Sequence, residues 1–146
     1  MGQVESFLTA DEEQSIIDAI HLAEERTSGE IRVHLEGHTD LSPMERAKEV
    51  FFNLKMDQTA LANGVLIYVA VHDHNFTILG DRGINERVGQ GFWDSTKDEI
   101  VKYFKEGHFA QGLIAGVTEA GKALAQYFPI QDNDTNELSN EISKGE

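Results

Sequence analysis

Oxygen donors crowd two weakly patterned stretches of this chain, and oxygen donors in number are what a hard cation needs. Asp57 and Asn63 lie within residues 55–63; Asp81, Asn85, Glu86 and Asp94 lie within residues 81–94. Calcium takes about six to eight oxygens and magnesium about six, from carboxylates, amide oxygens, main-chain carbonyls and water. The carboxylates in this set would repel one another with no ion between them. Each has a plainer role as well. Asp94 can cap a helix, Asp57 can be a solvated loop acid, and Glu86 can pair with Arg82 or Arg87. As a group, these residues are the candidate ligands for a divalent ion, calcium preferred or magnesium. A nitrogen-rich alternative, His34, His38, His72 and His74, would suit zinc, nickel or copper. No H-E-x-x-H spacing supports it, and these read better as surface histidines.

Other constellations are excluded. The chain has no cysteine, so disulfides, zinc-thiolate sites and thiol catalysis are ruled out. It has no G-x-S-x-G elbow. Gly80-Asp81-Arg82-Gly83 and Gly89-Gln90-Gly91 match neither a P-loop nor a dinucleotide fingerprint. Asp132-x-Asp134-x-Asn136 opens like an EF-hand loop, but Glu137 stands where that loop needs glycine.

The elements that must position the oxygen donors follow from local pattern. Thr9-Ala10-Asp11-Glu12 is a capping box, and the helix after it carries Ile16, Ile17, Ile20 and Ala23. Glu30 to Glu36 alternates strictly, which predicts a half-exposed strand with Ile31, Val33 and Leu35 inward and Arg32, His34 and Glu36 outward. Ser42-Pro43 opens a second helix. Val65 to Val71 is continuously apolar and rich in β-branched residues, the pattern of a strand buried on both faces. His72-Asp73-His74-Asn75 turns it into a hairpin with the strand that ends at Gly80. Two further helices follow, from about Asp94 to Lys105 and from His108 to Phe128. Small residues along the last of them (Gly112, Ala115, Gly116, Ala120, Gly121) permit close helix packing.

This order predicts an α/β fold: a three-layer α/β/α sandwich around a small mixed sheet of three or four strands. If the second helix makes an ordinary crossover, the first two strands are parallel and the hairpin partner is antiparallel. One sheet end then gathers His38, Asp40, His72, Asp73 and His74. The other gathers the two oxygen-rich loops. Residues 1–130 form one domain, and 131–146 read as an acidic, disordered tail.

The net charge of −14 disfavours nucleic acid and anionic lipid and favours cations. No apolar run approaches the roughly 18 residues of a membrane span. The first residues lack the pattern of a secretory signal, so the expectation is a cytoplasmic protein without membrane insertion.

Four segments occur in order: Thr27-Ser28-Gly29-Glu30-Ile31-Arg32-Val33-His34, Asn63 to Ala70, Gly80-Asp81-Arg82-Gly83-Ile84, and Phe109-Ala110-Gln111-Gly112-Leu113. Together they resemble the TPM domain family, named for a thylakoid lumen protein, a photosystem-associated protein and a nematode receptor modulator. The resemblance runs from about residue 8 to 128. It implies an α/β/α sandwich and divalent-ion binding, and a plant member has been assigned acid phosphatase activity. Relatives are often secreted or membrane-tethered, whereas this chain looks like a stand-alone domain. Many relatives carry a Gly-aromatic-Gly-Leu-Glu turn after the third strand; here the matching segment is Arg82-Gly83-Ile84-Asn85-Glu86, with its acid one residue later.

Three functions stay open. The leading one is a non-catalytic module whose two loops are ordered by a divalent ion and which regulates or contacts an unidentified protein partner. The second is a metal-assisted phosphatase with Asp81 or Glu86 as base and Arg82 or Arg87 steadying phosphate charge. The third is a partner-binding domain that uses the acidic tail.

Overall fold

The computed structural model describes residues 7–130 and 141–145. Helix α1 (Ala10–Glu24) starts with the expected reciprocal cap: Glu12 N donates to Thr9 Oγ1 at 3.0 Å, and Thr9 N donates to Glu12 Oε1 at 2.9 Å. Strand β1 (Glu30–Glu36) leads to α2 (Pro43–Asn53), and a 3₁₀ turn at Met56–Gln58 precedes β2 (Gly64–Ala70). After β3 (Asn75–Gly80) come α3 (Arg82–Val88), α4 (Trp93–Lys105) and α5 (Phe109–Tyr127); a two-residue β4 (Ser143–Lys144) lies near the end of the chain.

The sheet order is β3-β2-β1-β4. β1 and β2 are parallel in the register Ile31↔Val65, Val33↔Ile67, Leu35↔Val69, and β3 runs antiparallel to β2. Every residue of β2 is buried. Because successive side chains point to opposite faces, the strand divides its apolar set between two cores. Val65, Ile67 and Val69 join Ile31, Val33, Leu35 and Ile78 beneath α1 and α5. Leu66, Tyr68 and Ala70 meet Ala47, Val50 and Phe51 of α2, together with Met56. The arrangement is the expected α/β/α sandwich with a mixed sheet.

The small residues of α5 act as predicted. A Cβ on Gly116 would stand 2.7 Å from Ile100 Cδ1, and one on Gly121 would stand 2.7 Å from Ala23 Cβ. These gaps let α4 and α1 lie directly against α5. No helix among the described residues is long and apolar enough to cross a membrane.

Two expectations need correction. β1 is not half exposed: Glu30, His34 and Glu36 are buried with the apolar residues, and only Arg32 is partly open. Its second face is covered by Arg46 from α2 and by the returning chain at residues 143–145. The tail is not wholly irregular either. Ser143 and Lys144 pair with His34 and Leu35, and Gly145 N donates to Leu35 O at 2.7 Å. The rest of the expected tail, 131–140 and 146, lies outside the described residues. Within the stretch 81–91, which has no clear period, α3 is one short helix set up by Asp81 as its N-cap.

Candidate functional site

The two oxygen-rich loops do meet at one end of the sheet. Asp81 N donates to Gly64 O at 2.8 Å, and Gly83 N donates to Ala62 O at 2.7 Å. Gly83 must be glycine for this approach, since a Cβ there would overlap the carbonyl oxygens of Leu61 and Ala62. The start of α3 is thereby fixed against the loop that carries Asp57.

Asp57 and Asp81 share a hollow of about 200 Å³, whose other walls are Lys48, Phe51, Phe52, Leu79 and Gly80. Asp81 Oδ1 accepts from Arg82 N at 2.7 Å, the cap of α3. Its Oδ2 is buried and has no hydrogen-bond partner among the described residues. A buried acceptor left unpaired costs about 1–3 kcal/mol, and more when charged. A carboxylate oxygen in that position is a place where a cation, or a water on a cation, would be stabilised.

The other expected ligands divide. Glu86 is exposed and lines a separate hollow of about 330 Å³ with Arg82, Arg87 and Phe128. Asn85 is committed to the fold. Its Nδ2 donates to Gly80 O at 2.8 Å, and its Oδ1 accepts from Trp93 Nε1 at 3.1 Å, anchoring an indole that is fully buried. Asn63 is buried, with Nδ2 reaching Ser28 Oγ at 3.5 Å and Oδ1 without a hydrogen-bond partner among the described residues. Asp94 is exposed in the first turn of α4 and does not line the hollow. Among the described residues, no group of three or more His, Asp or Glu side chains is placed to hold a metal ion. The expected six-residue cluster reduces to an Asp57–Asp81 pair.

The opposite end gathers the histidine-rich turn as expected. His38 lies between Asp73 (Nδ1 to Oδ1, 2.7 Å) and Asp40 (Nε2 to Oδ1, 2.8 Å). Hydrogen bonds to Asp73 and then Asp40 raise its pKa above the ordinary imidazole value.

A third group escaped the sequence reading. Glu36 receives a bidentate guanidinium, with Arg46 Nε to Oε2 at 2.8 Å and Nη2 to Oε1 at 3.0 Å. The Tyr68 hydroxyl donates to Oε2, and His34 Nε2 meets Oε1 at 3.0 Å. Facing a carboxylate, Nε2 carries the proton, so His34 Nδ1 accepts from the Ser143 hydroxyl at 2.9 Å. Burial pushes the Glu36 pKa up, but hydrogen bonds from Arg46, Tyr68 and His34 outweigh it and hold the group at about 2. Burial lowers the His34 pKa against the opposing pull of Glu36. Burial and Glu36 together raise that of Tyr68. The network is closed: each oxygen of Glu36 has two donors. It holds α2 and β4 to the central strands. No local signal marks it, because the partners of the Glu30–Glu36 alternation come from α2 and from the far end of the chain.

The model of the TPM domain family matches residues 3–123. The BA42 protein of the psychrophilic bacterium Bizionia argentinensis, known from an NMR structure, is 56% identical. Its alignment covers 99% of this chain and 100% of that one, with a TM-score of 0.90. The N-terminal domain of a P. gingivalis protein shares the fold at 18% identity and a TM-score of 0.62, over 84% of this chain and 79% of that one. No curated protein matches. With a family match over most of its length and a full-length relative of this similarity, the chain belongs to the TPM domain family.

Proposed function

We propose that this TPM domain binds a divalent cation, calcium or magnesium, in the hollow between Asp57 and Asp81. The unpaired, buried Oδ2 of Asp81 carries the reading. Asp57 supplies a second carboxylate on the same hollow, and main-chain oxygens and water would complete the shell of a hard cation. Lys48 on the wall opposes the ion and weakens its affinity. The net charge of −14 works the other way, raising the local cation concentration. Bound there, the ion would tie the 3₁₀ turn to the start of α3, and the module would act by presenting that rim to a protein partner.

Calorimetric titration with calcium and magnesium tests this. We expect one saturable site, a raised melting temperature, and affinity at least about tenfold lower in Asp81→Asn, a difference of about 1.4 kcal/mol. Identical isotherms for the wild type and Asp81→Asn would sink the assignment.

A second reading is favoured by the neighbouring hollow, where Arg82 and Arg87 face Glu86. Two guanidinium groups beside a carboxylate suit a phosphoryl group and a general base, the parts of a metal-assisted phosphatase. Hydrolysis of p-nitrophenyl phosphate that needs calcium or magnesium and falls at least about tenfold in Glu86→Gln would establish it. Inactivity with both metals from pH 5 to about 9 would remove it.

A further inference from the structure

At the other end of β2, on the face covered by α4 and α5, the main core is left open by the described residues. A hollow of about 320 Å³ is walled by Phe7, by Val69 and Val71 of the hairpin, Phe76 of β3, Val101 and Phe104 of α4, and Phe109 of α5. Apart from Val69, these side chains are only partly buried. The rings hold fixed edge-on contacts, Phe76 to Phe104 at 5.3 Å and Phe104 to Phe109 at 5.2 Å between centroids. The wall is therefore preformed rather than loose.

Two of the residues lining this hollow are not apolar, and both are basic: His74 and Lys105. The neighbouring acids are occupied elsewhere. Asp73 is bonded to His38, and Glu106 lies 3.5 Å from His108. Among the described residues neither His74 nor Lys105 has an ion-pair partner. In a chain with 26 Asp and Glu against 12 Lys and Arg, an ammonium and an imidazole without an ion-pair partner among the described residues stand over this apolar chamber, a local departure from the acidic surface. Repulsion from the rest of the surface is screened beyond about 8 Å at physiological salt.

We propose that this hollow binds a small carboxylic acid with an apolar body, aliphatic or aromatic, whose carboxylate meets Lys105 and His74. At about 30 Å³ for each water-sized group, the space takes roughly ten non-hydrogen atoms. The apolar body would replace poorly held water against phenyl and valine walls, and the ammonium would fix the orientation. The inference is independent of the cation reading, since the hollow lies at the opposite end of β2 from Asp81.

The test is a methyl- and ring-resolved NMR titration of the full chain with octanoate at pH 7, with 1-octanol as the uncharged match. We expect saturable shifts confined to the lining of the hollow, the rings of Phe7, Phe76, Phe104 and Phe109 and the methyls of Val69, Val71 and Val101, with a dissociation constant of about 1 mM or below. Octanol should bind at least fivefold more weakly, by about 1 kcal/mol. Lys105→Gln, at an exposed position, should reduce octanoate to the level of octanol while leaving octanol unchanged. No saturation by about 10 mM, or equal affinity for octanoate and octanol, would overturn the proposal. So would contacts showing that residues 1–6 already fill the hollow in the free chain.

Discussion

Replacing Arg46 with alanine should cost about 3–5 kcal/mol of folding stability, because it leaves the Glu36 carboxylate buried with its principal countercharge gone. For a domain of this size that corresponds to a fall in melting temperature of about 10 °C. The double substitution Glu36→Gln with Arg46→Met should recover most of the loss, since a neutral amide against a thioether no longer strands a charge. Thermal denaturation of the three proteins decides it. A loss below about 1 kcal/mol for Arg46→Ala would mean that water replaces the guanidinium, and the cluster would then be no more than a surface pair.

The same carboxylate should govern acid stability. Its folded pKa of about 2 lies below the ordinary 4.5, so its contribution is fully present above pH 4.5 and is lost as the pH falls towards 2. The size of that contribution is about 3 kcal/mol. Denaturant unfolding at pH 6 and at about pH 2.5 should therefore show the wild type losing about 2.5 kcal/mol more than Glu36→Gln. Parallel losses in the two proteins would count against a depressed Glu36. In the wild type, β4 should detach along with this transition, since Ser143 rests on His34, which rests on Glu36.

The parts of the fold that sequence reveals are those whose causes are local. The capping box at Thr9, the unbroken apolar run of β2 and the small residues of α5 each carry their own explanation, and each forms as predicted. Topology also followed, because a short helical crossover and a tight turn leave few arrangements. β1 misleads for a physical reason. Alternation of apolar and polar residues reports which side chains could face water, but here the polar face is covered by Arg46, ten residues on, and by Ser143, 109 residues on. A buried ion pair and a solvated strand face read alike in sequence.

The candidate site was legible to the level of loops. Their meeting follows from sheet direction alone, and Asp57 and Asp81 do face one hollow. What sequence could not show is that a side chain can be already spent. Asn85 looks like an oxygen ligand until Trp93 is found donating to that oxygen. Asp94 and Glu86 have the right chemistry, but helical geometry carries them to other surfaces.

The separation between His34 and Ser143 has a bearing on how the protein is made. A ribosome adds about 5–20 residues each second, so β1 emerges roughly 5–20 s before the strand that will cover its edge. During that interval its outer row of amides and carbonyls stays open to any other nascent chain. The charged and imidazole side chains on the adjoining face, Arg32, His34 and Glu36, are then a safeguard: they discourage mispairing until β4 arrives.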